Sequence, residues 1–145
     1  MGIRQVKVLT PTMILGCMLA IASGCSDDRP TRVPISGRVS IDGKPLAGGS
    51  IMFLHPESRS SGSPIDANGR FQLTCYVPGD GAVLGKHRVK VTACESLSER
   101  SNRWLAPKKY ADPNSSGLEI EVTEPNDDLE ISLTWGDGKP FVERW

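Results

Sequence analysis

From Pro34 onward, apolar and polar residues alternate with a period of two, and glycine, proline, aspartate and asparagine interrupt the alternation at short intervals. Successive side chains of an extended chain point to opposite faces, so this pattern predicts strands with one buried face. No segment after residue 24 carries a convincing period of 3.6 residues. Short strands separated by Gly and Pro turns are typical of an antiparallel sandwich. The sequence therefore predicts an all-β domain over residues 34–134.

The predicted strands differ in how many of their faces are apolar. They cover residues 35–41, 50–55, 70–77, 86–93, 118–122 and 129–133. The second is apolar on both faces, and we expect it to be covered on both. Turns are predicted at 42–45, 66–69 and 125–128, and loops at 56–63 and 78–85. Residues 94–117 lack a clear period and predict a long loop whose aromatic side chains pack across the sheet edge.

The N-terminus has the pattern of an export signal. Arg4 and Lys7 precede an almost wholly apolar stretch over 8–22, and Ser23-Gly24 supplies small residues before Cys25. A basic start, a short apolar stretch and small residues at a cleavage point are typical of a secretory signal peptide. A transmembrane helix needs about 20 apolar residues. This stretch is shorter, and Pro11 and Gly16 interrupt it.

Cys25 directly follows the predicted cut and makes this segment resemble the lipobox of bacterial lipoproteins. The resemblance implies cleavage between Gly24 and Cys25, and acylation of Cys25 by fatty chains such as palmitate. Two or more inserted chains give stable anchoring, at about 0.8 kcal/mol per buried methylene. The pattern departs from the family at Ala22, where lipoboxes more often have leucine. Ser26 implies sorting to the outer membrane if the host has two membranes.

Net charge and length limit the kind of partner and the number of domains that we expect. Residues 1–24 contain two basic and no acidic residues, so their removal lowers the net charge from zero to −2. This balance gives no overall field for nucleic acid or anionic headgroups. About 120 residues remain, enough for one domain with one core. We divide the chain into a signal peptide (1–24), a polar tether (25–33), the β domain (34–134) and a C-terminal tail (135–145) that either caps the domain or hangs free.

Three motifs resemble the carboxypeptidase-regulatory-like or transthyretin-like (prealbumin-like) sandwich. They are ISGRVSIDGKPLAGGSIMF, DANGRFQL and GKHRVKV, in that order, and PKKYADPNSSGLEIEV resembles the closing half of small bacterial lipoproteins of this type. Together they cover roughly residues 34–133. The resemblance implies a seven-stranded antiparallel Greek-key sandwich that is usually non-catalytic and serves as an accessory or adhesion-like module.

The residues needed for catalysis are sparse. His55 and His87 are the only histidines, and neither stands in an HxxxH or HExxH pattern. Zinc and iron sites usually need three or four ligands, so we expect edge or surface histidines, no metal and no cofactor. The chain also lacks the Tyr-Arg-Gly-Ser ending of transthyretin-like hydrolases and a GxSxG elbow. The alternative is a small metal-dependent or transthyretin-like hydrolase that uses His55 and His87, with Asp66.

Three further groups have a structural and a functional interpretation. Asp66 and Asn68 predict a turn bonded to its own backbone, with calcium as the alternative. Cys75 is expected to be a small buried side chain, with a disulfide to Cys94 left open, because strand alternation places the two on opposite faces. The candidate ligand contacts are Trp104, Tyr110 and Trp135. They would stack on sugar rings if exposed and coplanar, and otherwise pack the loops.

These observations predict an exported protein, anchored by lipid at the periplasmic face of the outer membrane or at the cell surface. We expect no enzymatic activity and no nucleic-acid partner. The predicted role is that of a binding or structural module whose loops or exposed strand edge contact an envelope protein or a polysaccharide.

Overall fold

The computed structural model describes residues 28–145, and the predicted signal peptide and Cys25 lie outside them. In chain order the elements are β1 (Arg32–Val33), β2 (Ile35–Ile41), β3 (Lys44–Pro45), β4 (Ser50–Leu54), β5 (Ser61–Pro64), β6 (Arg70–Gln72), β7 (Ala82–Val83), β8 (Gly85–Thr92), β9 (Cys94–Ser98), β10 (Ser101–Trp104), a 3-10 helix (Lys108–Ala111), β11 (Leu118–Val122), β12 (Asn126–Leu133) and β13 (Phe141–Arg144). The all-β prediction is confirmed. Within this range, no helix has the length and apolarity to cross a bilayer.

Two sheets enclose a common core. One is antiparallel throughout, in the order β11-β8-β4-β5. In the other, β2 pairs with β12 on one side and with the short strands β3 and β6 on the other. Side chains from both sheets form one buried cluster, including Val39 on β2, Phe53 on β4 and Val89 on β8. Burying a side chain of this size contributes about 1.5–3 kcal/mol.

The two strands with the clearest alternation form as predicted. Strand β2 buries Ile35 and Val39, and β8 buries Val89 and Val91. Two of the three predicted turns, at 42–45 and 66–69, are also present. Asp42 and Gly43 adopt positive φ angles of 48° and 76° between β2 and β3, which suits a two-residue hairpin turn.

The second turn is held by a side chain. Oδ1 of Asp66 accepts hydrogen bonds from the backbone N–H groups of Asn68 and Arg70, both at 2.8 Å. Gly69 closes the turn with a φ of 78°. This arrangement confirms the predicted turn bonded to its own backbone.

The direction and number of strands differ from the expected seven antiparallel strands. Strand β12 runs parallel to β2, with Leu129 opposite Gly37 and Leu133 opposite Ile41. Thirteen strands occur in residues 28–145, several of only two residues. Alternation specifies which face of a strand is buried, but not the direction of the neighbouring strand.

Strands β4 and β5 correct two predictions. Only one face of β4 is covered, because Met52 on the other face is 37% exposed. The predicted loop at 56–63 ends in a strand, since Ser61–Pro64 pairs with β4. Ser61 and Ser63 are buried there. Their polar side chains hid the strand from a search for apolar alternation.

Residues 94–117 are more regular than predicted. Strands β9 and β10 form a hairpin, and β13 pairs with β10, giving a separate three-stranded sheet in the order β13-β10-β9. The predicted tail at 135–145 therefore contributes a strand and does not hang free. All five residues of β9 are exposed, so its sequence carries no hydrophobic alternation.

Three predicted boundaries also shift. The third predicted strand ends as β6 at Gln72, and Val77 is 47% exposed, although Leu73 and Cys75 remain buried. The predicted turn at 125–128 is mostly strand, because β12 already begins at Asn126 and contains an irregular register before Leu129. The last two residues of the predicted tether, Arg32 and Val33, form β1 and pair with β7.

Gly37 allows β2 and β12 to approach closely. A Cβ atom there would overlap the carbonyl oxygen of Leu129 and lie 2.8 Å from its amide nitrogen. Both atoms belong to the backbone of a paired strand and cannot move aside as a side-chain end would. We expect Gly37→Ala to lower the free energy of unfolding in urea by about 3 kcal/mol.

Gly62→Ala on β5 is the matched control. Its Cβ would meet its nearest neighbour, the carbonyl oxygen of Ile51, at 3.5 Å, an ordinary contact. We expect a change within about 1 kcal/mol. Equal effects of the two substitutions would contradict the close approach at Gly37.

Candidate functional site

The predicted lipid attachment lies close in sequence to the folded domain. Strand β1 begins at Arg32, seven positions after Cys25, and a chain of that length reaches at most about 25 Å. Gly24 and Cys25 are outside the described residues, so cleavage and acylation there stay predictions. If they occur, the end of the domain that carries β1 lies next to the membrane.

An ordered loop lies beside β1. Asp80 Oδ2 accepts a hydrogen bond from Arg32 Nε at 2.7 Å, and the side chain also accepts hydrogen bonds from the backbone N–H groups of Cys75, Tyr76 and Val77. The guanidinium carbons of Arg29, Arg32 and Arg59 lie 5.0–5.4 Å from the centre of the Tyr76 ring. Such distances allow cation–π attraction.

Asp80 is the anion that organises this loop. Burial raises the pKa of its carboxyl, but the hydrogen bonds from Cys75, Val77, Tyr76 and Arg32 outweigh burial and leave the pKa below its ordinary value. A carboxylate that accepts several N–H groups stays charged because each bond favours the ionised form. Sequence analysis missed this residue, although an aspartate between Gly79 and Gly81 is a typical turn-bonding pattern.

His55 and His87 lie together at the end of the first sheet. Their ring centres are 5.1 Å apart with an edge-to-face angle of 68°, and Phe53 packs 5.7 Å from His87. His87 is only 1% exposed, so the prediction of two edge or surface histidines is wrong for His87. It shares the inward face of β8 with Val89 and Val91, and the alternation itself placed it there.

Backbone groups fix the tautomers of both rings. Nε2 of His87 lies 2.7 Å from the carbonyl oxygen of Val83, and because a carbonyl only accepts, this nitrogen carries the hydrogen. Nδ1 of His55 accepts the backbone N–H of Glu57 at 3.1 Å, which leaves the hydrogen of the neutral ring on Nε2. The remaining nitrogen of His87, Nδ1, is buried and has no hydrogen-bond partner among the described residues.

The surroundings of His87 oppose its positive charge. Burial lowers its pKa below 6.5; the hydrogen bond to Val83 acts in the opposite direction, and the nearby His55 lowers the pKa further. A neutral His87 with one fixed N–H is therefore the form that the folded protein favours. The arrangement brings together the two histidines of the hydrolase alternative.

The neighbourhood of the histidine pair holds too few ligands for a metal site of the usual kind. Within residues 28–145, no three histidine, cysteine, aspartate or glutamate side chains are grouped closely enough to hold a metal ion. Asp66, the third residue of the hydrolase alternative, uses Oδ1 to accept two backbone N–H groups in its own turn.

The three candidate aromatic contacts do not form an exposed platform. Trp104 is 9% exposed and Tyr110 is 5% exposed, so neither ring has the exposure that stacking on a sugar requires. Tyr110 belongs to the common core, and its hydroxyl lies within hydrogen-bond distance of the backbone of Thr134. Trp135 is half-buried and meets the ring of Phe141 edge to face at 6.5 Å.

A charged group covers Trp104 on the small sheet. Glu143 on β13 accepts hydrogen bonds from Lys108 Nζ at 2.6 Å and from Trp104 Nε1 at 2.9 Å. These two bonds lower the pKa of Glu143 below its ordinary value. Trp104 also stacks on Phe141 at 6.5 Å. The aromatic groups therefore attach the C-terminal strand to the domain.

The two cysteines of the described range are free thiols. Cys75 is buried and Cys94 is exposed at the start of β9. The prediction of Cys75 as a small buried side chain is confirmed, and the structure contains no disulfide between it and Cys94.

Comparison with protein-family models, with curated proteins and with solved structures found no match for this chain. The resemblance to transthyretin-like sandwiches and to lipoproteins therefore remains a prediction based on the motifs quoted above.

The buried His87 predicts a pH-dependent stability. Because its folded pKa is depressed, the unfolded chain binds more protons below pH 6.5, and stability should fall as the pH decreases from 7 to 5. The slope from this one group is at most about 1.4 kcal/mol per pH unit. Urea unfolding at a series of pH values measures it.

His87→Gln keeps an N–H donor for the Val83 carbonyl but does not titrate. We expect this variant to lose most of the dependence between pH 7 and 5, whereas His55→Gln should retain part of it. An unchanged pH profile in His87→Gln would contradict the assignment.

Proposed function

We propose that this chain is a lipid-anchored, non-catalytic module of the cell envelope that binds another protein. The observation that carries the proposal is the N-terminal pattern from Arg4 to Cys25, together with a folded all-β domain that begins at Arg32. A lipid so close to the domain would confine it near the membrane and present its loops and strand edges to neighbours.

The fold that we propose is a Greek-key sandwich of the transthyretin-like or carboxypeptidase-regulatory-like type. Its support comes from the order of the motifs, from the turns at Asp42–Gly43 and Asp66–Gly69, and from a core shared between two sheets. The parallel pairing of β12 with β2 is the point at which this chain departs from the all-antiparallel expectation.

The described geometry favours binding of a protein over binding of a glycan. Trp104 and Tyr110 are buried, which removes two of the three rings that a sugar would stack on. Within residues 28–145 β11 and β12 each end a sheet, so their outer strand edges are free of a strand partner there. Adding a strand to such an edge is a recurrent way to bind an extended peptide.

One observation favours the hydrolase alternative. The rings of His55 and His87 are 5.1 Å apart, as a shared site would require. Against it, His87 is almost fully buried and its Nε2 is bonded to the Val83 carbonyl. A substrate would have to reach Nδ1 through the packed end of the sheet, so we favour a structural role for the pair.

Lipidation at Cys25 predicts a defined mass and a membrane location. Intact-mass measurement of the protein purified from a bacterial host should show removal of residues 1–24 and the added mass of two or three acyl chains. Cys25→Ser should abolish the acyl mass. The variant should leave the membrane pellet if its signal peptide is cleaved, and should keep residues 1–24 if it is not.

Cys94→Ser is the control, because it removes an exposed thiol distant from the signal. We expect its mass and membrane location to match those of the parent protein apart from the substitution itself. An unmodified Cys25 in the parent protein would overturn the anchor.

A binding role predicts a stable partner at the envelope. Cross-linking in intact cells, followed by purification from solubilised membranes, should enrich a specific envelope protein with the parent chain. The comparison is with the Cys25→Ser variant, which keeps the domain but should lose the location. If both forms enrich the same background proteins, the binding role is contradicted.

A further inference from the structure

Strand β11 is an open edge of the first sheet. It pairs with β8 through Leu118–Val122, and no other strand in residues 28–145 pairs with it. The backbone N–H and C=O groups on its outer side therefore form a row without a strand partner. Such a row is a template for another extended chain.

The exposed side chains of this edge are negatively charged. Glu119 and Glu121 alternate with Leu118, Ile120 and Val122, and both glutamates are exposed. No ion pair of the described residues involves either carboxylate. On a strand, positions two apart are separated by about 6.6–6.8 Å on the same face. Basic residues at alternate positions of an added strand would match this spacing.

Strand β8 shows the charge pattern of a strand that pairs with β11. Arg88 stands opposite Glu119, and Lys86 stands opposite Glu121. Cross-strand pairs of opposite charge stabilise a sheet, whereas like charges directly opposite each other destabilise it. Strand β8, the inner neighbour of β11, thus carries basic residues at alternate positions. A strand added at the outer edge would face the same two glutamates.

The same charge disfavours a second copy of this chain as the occupant. Two β11 edges brought together would place glutamates against glutamates. Exposed acids continue along the chain into β12, at Glu124, Asp127, Asp128 and Glu130. Within residues 28–145 no three such groups are close enough to hold one metal ion, so the spacing favours an extended cationic segment over a single cation.

We propose that β11 accepts an extended segment of a partner protein, with lysine or arginine at alternate positions, as an added strand at its outer edge. This inference rests on the proposed binding function and names the chemistry of the partner. The added strand would gain backbone hydrogen bonds from β11, and its basic side chains would face Glu119 and Glu121.

Short peptides test the strand and the charge separately. The probe is Thr-Lys-Val-Lys-Val-Lys-Thr, acetylated and amidated at its ends and labelled with a fluorophore, titrated with the full chain in detergent. One control peptide replaces both valines with proline and keeps all three lysines. The other replaces the three lysines with glutamates. We expect binding at least tenfold tighter for the probe than for either control, measured by fluorescence anisotropy.

Variants of the protein locate the site. Glu119→Lys with Glu121→Lys should weaken binding of the probe at least tenfold. The matched control is Glu99→Lys with Asp137→Lys, which makes the same change in net charge at exposed positions outside the edge. We expect it to bind the probe within twofold of the parent chain. Circular dichroism checks that both variants keep the parent spectrum.

Several results would overturn the inference. Equal binding of the lysine probe and its proline control would mean attraction by charge without an added strand. Equal weakening by both double variants would mean attraction by net charge alone. No binding of the probe would exclude a basic strand at this edge. A partner still captured from membranes by the Glu119→Lys, Glu121→Lys variant would refute the edge but leave the proposed binding function intact.

Discussion

Burial of alternate side chains of β2 and β8 in a common core is the constraint on which the other elements depend. Val39 and Val89 are fully buried on these two strands, and each strand pairs with neighbours on both sides. Strands β12, β3 and β6 are placed by β2, whereas β4 and β11 are placed by β8. Close packing leaves little freedom at these positions, as the contact of Gly37 with Leu129 illustrates.

His87 in the core and the partly buried Asp80 are both held by backbone groups. His87 donates to the Val83 carbonyl, and Asp80 accepts backbone N–H groups beside β1. Burial favours the neutral form of His87, whereas the hydrogen bonds favour the ionised form of Asp80. Both groups therefore have a structural use, and both connect stability to pH. We therefore favour a structural role for the histidine pair at the end of the sheet over a catalytic one.

One end of the domain lies near the predicted anchor. Elsewhere, sheet edges have no strand partner within residues 28–145. Strand β1 follows closely on Cys25 in sequence, while β11 carries exposed glutamates along an edge that no strand of residues 28–145 pairs with. Charged edges hinder pairing between identical copies, and the same charge admits a strand of opposite sign. Overall neutrality of the chain thus conceals a local acidic edge, which net charge alone could not reveal.

Local pattern was sufficient for the all-β class, for β2 and β8, and for the turns at Asp42–Gly43 and Asp66–Gly69. The same alternation puts His87 on the inward face with Val89, although the prediction was an edge or surface histidine. Alternation and turn preference act between near neighbours in the chain, and the sequence contains them directly. Tertiary structure alone decided the parallel direction of β12, the strand at Ser61–Pro64, the hairpin of β9 and β10 and its pairing with β13. These depend on which distant segment supplies hydrogen bonds and buried area, and such pairings leave no periodic signal in a single strand.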